Sequence, residues 1–241
     1  MTVSRRYSNG VQFATNYRFS KSIDTLSYEG PGFVTNQTYP QQQSTERGPS
    51  DFDSKHYWNA SIMYDLPVYK KQDGVLGKVL GGFSISTVLT YHTGFPWTPV
   101  TGQSVSTPGG PSLSPTRPVA YFGGAGTDTS NNAFLNLTNF AGGGAKYFDI
   151  THGGFPGIGR NSFRGPNFMG NDVSLMKQTK LPFGELTKLE LRINLYNALN
   201  KLNLQPLGFS TDQTHVESGN FGGSAGGLSG RVVELQARFS F

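Results

Sequence analysis

The last eleven residues constrain this chain most: Val233, Leu235, Ala237, Phe239 and Phe241 occupy every second position, with Glu234, Gln236, Arg238 and Ser240 between them. A β-strand sends successive side chains to opposite faces, so this segment has one apolar face and one polar face. The same alternation marks Val11, Phe13, Thr15, Tyr17 and Phe19, then Trp58, Ala60, Ile62 and Tyr64, then Phe83, Ile85, Thr87, Leu89 and Tyr91. It returns at Val173 and Leu175 and again at Leu189, Leu191, Ile193 and Leu195. With a short strand at the start, strands are expected near residues 1–7, 11–22, 56–66, 83–92, 171–181, 186–197 and 231–241. The fold class is all-β, an antiparallel meander of about seven amphipathic strands.

The connections have a pattern of their own. Short ones at 8–10, 68–82 and 182–185 alternate with long loops at 23–54, 95–170 and 197–229. Ser8-Asn9-Gly10 has the turn chemistry of a hairpin, and Pro182-Phe183-Gly184-Glu185 reads as a tight turn. Small strands or a helical turn are expected at 133–140 and 146–150 inside the largest loop. All large loops therefore leave one end of the sheet. Outer-membrane barrels have this asymmetry, and aromatics near strand ends (Tyr7, Phe19, Trp58, Tyr91, Phe239, Phe241) suit interfacial girdles. The expectation is a partial transmembrane β-barrel spanning 1–241, its apolar face to lipid and its polar face to a lumen.

Composition narrows the alternatives. Charged residues are only 15% of the chain, against 32 Gly, 18 Phe and 11 Tyr, which is sparse for a soluble surface. No run approaches 18 apolar residues, which excludes a transmembrane helix but not membrane strands. The formal charge is +5, but the basic residues form no stripe, so no nucleic acid is expected. Cysteine is absent, which excludes disulfides and thiolate chemistry. No secretory leader is read at the start.

Four stretches carry a resemblance. They are Tyr17-Arg18-Phe19-Ser20-Lys21-Ser22-Ile23-Asp24; Arg47-Gly48-Pro49-Ser50-Asp51-Phe52-Asp53 with Tyr64-Asp65-Leu66-Pro67; Gly159-Arg160-Asn161-Ser162-Phe163-Arg164-Gly165-Pro166 with Asn171-Asp172-Val173-Ser174-Leu175; and Arg192-Ile193-Asn194-Leu195-Tyr196-Asn197-Ala198-Leu199-Asn200 with the Phe241 terminus. In this order they resemble the C-terminal barrel of TonB-dependent outer-membrane receptors, of the Oar-like, acidobacterial type. The resemblance implies a 22-stranded barrel with a plug, a TonB-box and energy-coupled import. It also implies that Phe239 and Phe241 form an outer-membrane assembly signal read by the barrel-assembly machinery. Seven strands with no plug or TonB-box depart from that pattern. The chain is therefore expected to be a C-terminal portion of a transporter of unknown solute, not competent for import alone.

Candidate site residues follow from the strands and the large loop. Arg18, Glu190, Arg192, Glu234 and Arg238 lie on polar faces and are expected to form lumenal ion pairs, with substrate contact as the alternative. Arg160, Asn161 and Arg164 are expected to anchor the large loop at the rim, or else to bind a ligand there. Gly157-Ile158-Gly159-Arg160-Asn161 is glycine-rich but lacks the Lys-Ser/Thr and the βαβ frame of a phosphate cradle. His56, His92, His152 and His215 have no metal-ligand spacing, although His56 and His92 sit at neighbouring strand ends. Asp51 and Asp53 suit loop capping better than cation binding. No catalytic residue, metal or cofactor is expected, and no enzyme. The expected partners are outer-membrane lipid, the barrel-assembly machinery and, only through an N-terminal part, TonB; the location is the outer membrane of a Gram-negative bacterium. Two rival readings remain: a structural or adhesive cell-surface β-protein that self-associates through open sheet edges, and a secreted glycan-binding sandwich.

Overall fold

The computed structural model describes residues 1–27, 38–39, 41–103, 105–106, 112–113, 116–123, 144–181, 187–207, 211–224 and 226–241. Seven strands pair in sequence order as one sheet: β1 (Thr2–Ser8), β2 (Val11–Phe19), β3 (His56–Asp65), β4 (Phe83–His92), β5 (Phe168–Lys180), β6 (Lys188–Tyr196) and β7 (Val232–Ser240). The number of strands equals the number expected from the sequence, six alternating stretches and a short strand at the start. Asn9 and Gly10 both take positive φ (54° and 83°) between β1 and β2, as a two-residue hairpin turn requires. A seven-residue helix, Gly74–Leu80, lies in the β3–β4 connection. The expected turn at 182–185 and the expected piece at 133–140 lie outside the described residues.

Register carries the alternation across the whole sheet. Phe13 lies opposite Ile62, Ile62 opposite Thr87, Leu175 opposite Ile193, and Ile193 opposite Leu235. One face is thus mainly apolar from β2 to β7, with Lys177 at one end of it and Arg5 on β1, and much of it is exposed. Ile62, Leu191 and Leu235 are 43%, 46% and 74% exposed. The other face carries Asn16, Asn59, Thr90, Ser174, Asn194 and Glu234 in the same register.

The topology overturns the transmembrane barrel. All six ladders of the sheet are antiparallel, so β1 and β7 run in the same direction. Closing this sheet on itself would need a parallel pair, whereas outer-membrane barrels close with an even number of antiparallel strands. The sheet is open: among the described residues neither β1 nor β7 has a second partner. In hydrocarbon, each outward-facing N–H or C=O of those edges would go unsatisfied at a cost of several kcal/mol. The partners inferred from a barrel (outer-membrane lipid, the barrel-assembly machinery and TonB) fall with it. Among the described residues the strands enclose no lumen, so Arg18, Glu190, Arg192, Glu234 and Arg238 face the polar side of an open sheet.

The apolar core lies away from the sheet, in the long loops. Trp97, Phe148, Val216 and Phe221 are each at most 4% exposed, with Tyr121, Tyr147, Ile150, Ile158, Phe163 and Leu207 packed around them. The Trp97 and Phe221 rings meet at 5.6 Å, and Phe148 meets Phe221 edge-on at 5.6 Å, a favoured aromatic geometry. The stretch 95–170, expected to be a long loop without sustained periodicity and with small pieces of structure at 133–140 and 146–150, is folded in its described residues through several short pairings. Pro96–Trp97 pairs with Phe163–Arg164, and Arg117–Pro118 pairs with Gly153–Gly154. Gly144–Lys146 forms one 3-10 turn, after which Phe148 bridges Tyr121. Val100 bridges His215, which brings the last long loop into the same cap. The described part of 95–170 adds only two-residue strands besides the start of β5, and no eighth sheet strand.

Candidate functional site

Two features leave chemistry available: the charged interior of the loop cap and the two sheet edges. In the cap, Arg160 and Arg164 come from the limb that returns to β5, and the carboxylates they meet come from the β2–β3 loop. The Arg160 guanidinium, 5% exposed, pairs with the Asp24 carboxylate and lies 3.7 Å from Asp51. Its Nε donates to the Glu46 carbonyl at 2.8 Å, and Nη2 to the Asp24 carbonyl at 3.0 Å. Asn161 is fixed from three sides. Its backbone N–H donates to Thr98 Oγ1 at 2.8 Å, and its Nδ2 donates to the Pro49 carbonyl at 2.8 Å and to Asp51 Oδ1 at 2.6 Å. Arg164 pairs with the Asp53 carboxylate and donates through Nη1 to the Asp53 carbonyl at 2.5 Å and the Gly94 carbonyl at 3.3 Å. These three residues therefore tie together the β2–β3 loop and both limbs of the β4–β5 loop. Asp51 and Asp53 serve as acceptors in that tie.

A second ion pair sits deeper. Arg117 Nη2 is 3.4 Å from Glu46 Oε1, with side chains 1% and 0% exposed. Tyr39 N donates to the same carboxylate oxygen at 2.9 Å, and the Arg117 guanidinium lies over the Tyr39 ring at 5.1 Å. Among the described residues Arg117 Nε and Nη1 and Glu46 Oε2 have no hydrogen-bond partner. Burial draws the Arg117 guanidinium below its ordinary pKa, with Glu46 pulling the other way. Burial likewise pushes the Tyr39 hydroxyl up. Burial also works to raise the Asp24 carboxyl, but hydrogen bonds from Ser27 and Ser50 and the charge of Arg160 overcome it and hold Asp24 below the usual aspartate range. None of these pairs was legible from spacing, because Glu46 and Arg117 are far apart in sequence and neither lies in a periodic segment.

The strand charges behave differently. Arg192 Nη2 donates to Glu190 Oε1 at 2.8 Å, two positions along the same strand, with Arg192 39% exposed. Arg18 is exposed and lies over the Tyr57 ring at 5.4 Å. Glu234 on the edge strand accepts from Asn194 Nδ2 at 3.1 Å, Tyr196 Oη at 2.9 Å and Gln236 Nε2 at 3.0 Å. Arg238, on the same strand, is exposed and lies opposite Glu190. Phe239 and Phe241 are 55% and 94% exposed, with ring centroids 6.1 Å apart.

The histidines do not converge. His56 lies opposite Phe19 and accepts or donates a hydrogen bond with Tyr17 Oη at 2.7 Å, on the apolar face. His92 lies opposite Tyr57 and stacks on Phe168 at 5.1 Å, on the other face. His152 is beside Thr151, and His215 is in the cap. Among the described residues, no group of three or more His, Asp or Glu is placed to hold a metal ion.

A family model described as an outer membrane beta barrel domain matches residues 1–234. No curated protein and no solved structure matches the chain. The match is to the general domain, and with the open sheet it corrects the narrower resemblance. The assignment to the C-terminal barrel of an Oar-like, TonB-dependent transporter does not stand, because that assignment requires strands closed around a lumen.

The buried pairs make two predictions. Arg117→Met should destabilise the protein by about 3 kcal/mol, because it leaves the Glu46 charge buried and unpaired. Adding Glu46→Gln should recover most of that loss in denaturant unfolding, and equal instability of single and double variants would refute the pairing. The second concerns acid. A folded-state pKa held below the unfolded one contributes stability that is complete above the unfolded aspartate range and is lost as pH falls through the folded value. Trp97 emission, read in a Trp58→Phe background, should therefore shift to the red as pH drops below the ordinary aspartate range, about 4. Asp24→Asn should remove part of that dependence.

Proposed function

From the premise that the chain belongs to the outer membrane beta barrel domain family, and lies in the outer membrane of a Gram-negative-type bacterium, we propose that it is a structural or adhesive surface β-protein that self-assembles through its exposed sheet edges. The observation that carries this reading is the open seven-stranded sheet, with unpaired strands at both ends. An unpaired strand presents a row of N–H and C=O groups that template another strand, and monomeric proteins usually blunt such edges with charge, proline, bulges or a covering loop. β1 is blunted in this way. It has seven residues, carries Arg5 and Arg6, and has a register shift between Arg5 and Ser8. β7 has nine residues in unbroken register with β6 and no proline.

The loop cap supports the surface role. Its three-way ties fix a folded end on the sheet, the kind of presented surface an adhesive contact needs. The role proposed is non-enzymatic, and the arginines that would bind a rim ligand are engaged by Asp24, Asp51 and Asp53. A glycan-binding sandwich is a weaker reading, since the sheets besides the main one are two-stranded among the described residues.

Sedimentation velocity of the purified chain in mild non-ionic detergent tests the proposal. Species larger than the monomer should grow between about 1 and 100 µM, the range in which weak specific contacts populate. A single monomeric species across that range would contradict it.

A further inference from the structure

We infer that copies of this chain join through β7 alone, as a two-fold antiparallel β7–β7 pair centred on Gln236; this rests on the self-assembly reading above. The direction follows from parity. Because β1 and β7 run the same way, joining β1 of one copy to β7 of the next, with their apolar faces on one side, makes a parallel pair. An antiparallel edge contact must therefore be homotypic, the isologous arrangement of a two-fold dimer. β1 against β1 brings arginines together with no carboxylate on the strand to meet them, and like charges set directly opposite destabilise a ladder.

The β7 sequence complements itself. Residues directly opposite in an antiparallel pair share a face, so apolar positions stay with apolar ones when odd-numbered residues meet odd-numbered residues. With the two-fold axis at Gln236, Glu234 of each copy lies opposite Arg238 of the second copy. Leu235 then meets Ala237, and Val233 meets Phe239, on the apolar face. Moving the axis to Leu235 sets Arg238 against Val232, and moving it to Ala237 sets Glu234 against Ser240. An axis at Glu234 or Arg238 sets like charges face to face. Only the Gln236 register satisfies both charges.

The side chains are available for it. Glu234 Oε1 receives one hydrogen bond in the chain, from Gln236, which leaves acceptor capacity for a guanidinium. Arg238 is exposed and makes no ion pair among the described residues. Leu235 at 74% and Val233 at 58% are exposed on the apolar side. The pair would join two open sheets into one continuous antiparallel sheet with a shared apolar face.

The test is a charge swap on the full chain, read by sedimentation in detergent. Glu234→Arg alone and Arg238→Glu alone should each raise the dimer dissociation constant about ten-fold, because two cross-strand charge pairs turn repulsive. Mixing the two variants should restore association, since each then offers what the other lacks, and that restoration also shows that both are folded. The double variant E234R/R238E should associate like the wild type. If the wild type associates and the single variants match it, the β7 pairing is overturned while self-assembly stands. Single variants that fail and are not rescued by mixing overturn the Gln236 register. A wild type that stays monomeric overturns self-assembly and this pairing together.

Discussion

Backbone hydrogen bonding in an odd-numbered antiparallel sheet is the constraint on which the rest depends. Each ladder reverses the strand direction, so six reversals return β7 to the direction of β1. A sheet with parallel edges cannot close on itself in the antiparallel pattern used by all its other pairs. Two edges stay open, and every open amide and carbonyl needs water or another strand. The same parity decides what kind of contact can satisfy them, because an antiparallel continuation requires like edges to meet. The sequence then separates the two edges. β1 carries arginines and a register shift, whereas β7 alternates cleanly and holds opposite charges equidistant from Gln236.

The cap obeys a different constraint. Its segments are too short for ladders to hold them, so a small aromatic core and buried ion pairs do so. A buried guanidinium is costly unless paired and hydrogen-bonded. Arg160 meets this at Nε and Nη2 with the Asp24 carboxylate and the backbone carbonyls of Asp24 and Glu46, while Nη1 lies 3.7 Å from Asp51 without a hydrogen bond among the described residues. Arg164 does the same with Asp53 and Gly94. The geometry is specific because a planar guanidinium donates in fixed directions. The loops are thereby held to one another and to the end of the sheet, and these arginines act as internal ties.

The sheet was largely legible in the sequence and the cap was not, for a physical reason. Side chains such as Leu189, Leu191, Ile193 and Leu195 repeat with the two-residue period of a strand, so every sheet strand after β1 announces itself locally. Trp97, Phe148, Val216 and Phe221 meet only through distant chain reversals, and two-residue ladders leave no period. The signals present were weaker: aromatics within Gly-rich loops, and arginines and aspartates with no strand to belong to. The barrel expectation failed at a different point. Amphipathic alternation reports that a strand has two unlike faces and how many such strands there are, but whether the two edge strands find further partners is revealed only by the pairing.

Amide hydrogen exchange on the monomeric protein at low concentration tests the open sheet most directly. The predicted result is strong protection of β4 and β5, flanked on both sides, with alternate amides of β7 exchanging far faster because they face solvent. Equal protection of β1, β7 and the central strands in the monomer would mean that the edges are already paired within one chain, and would contradict the open sheet.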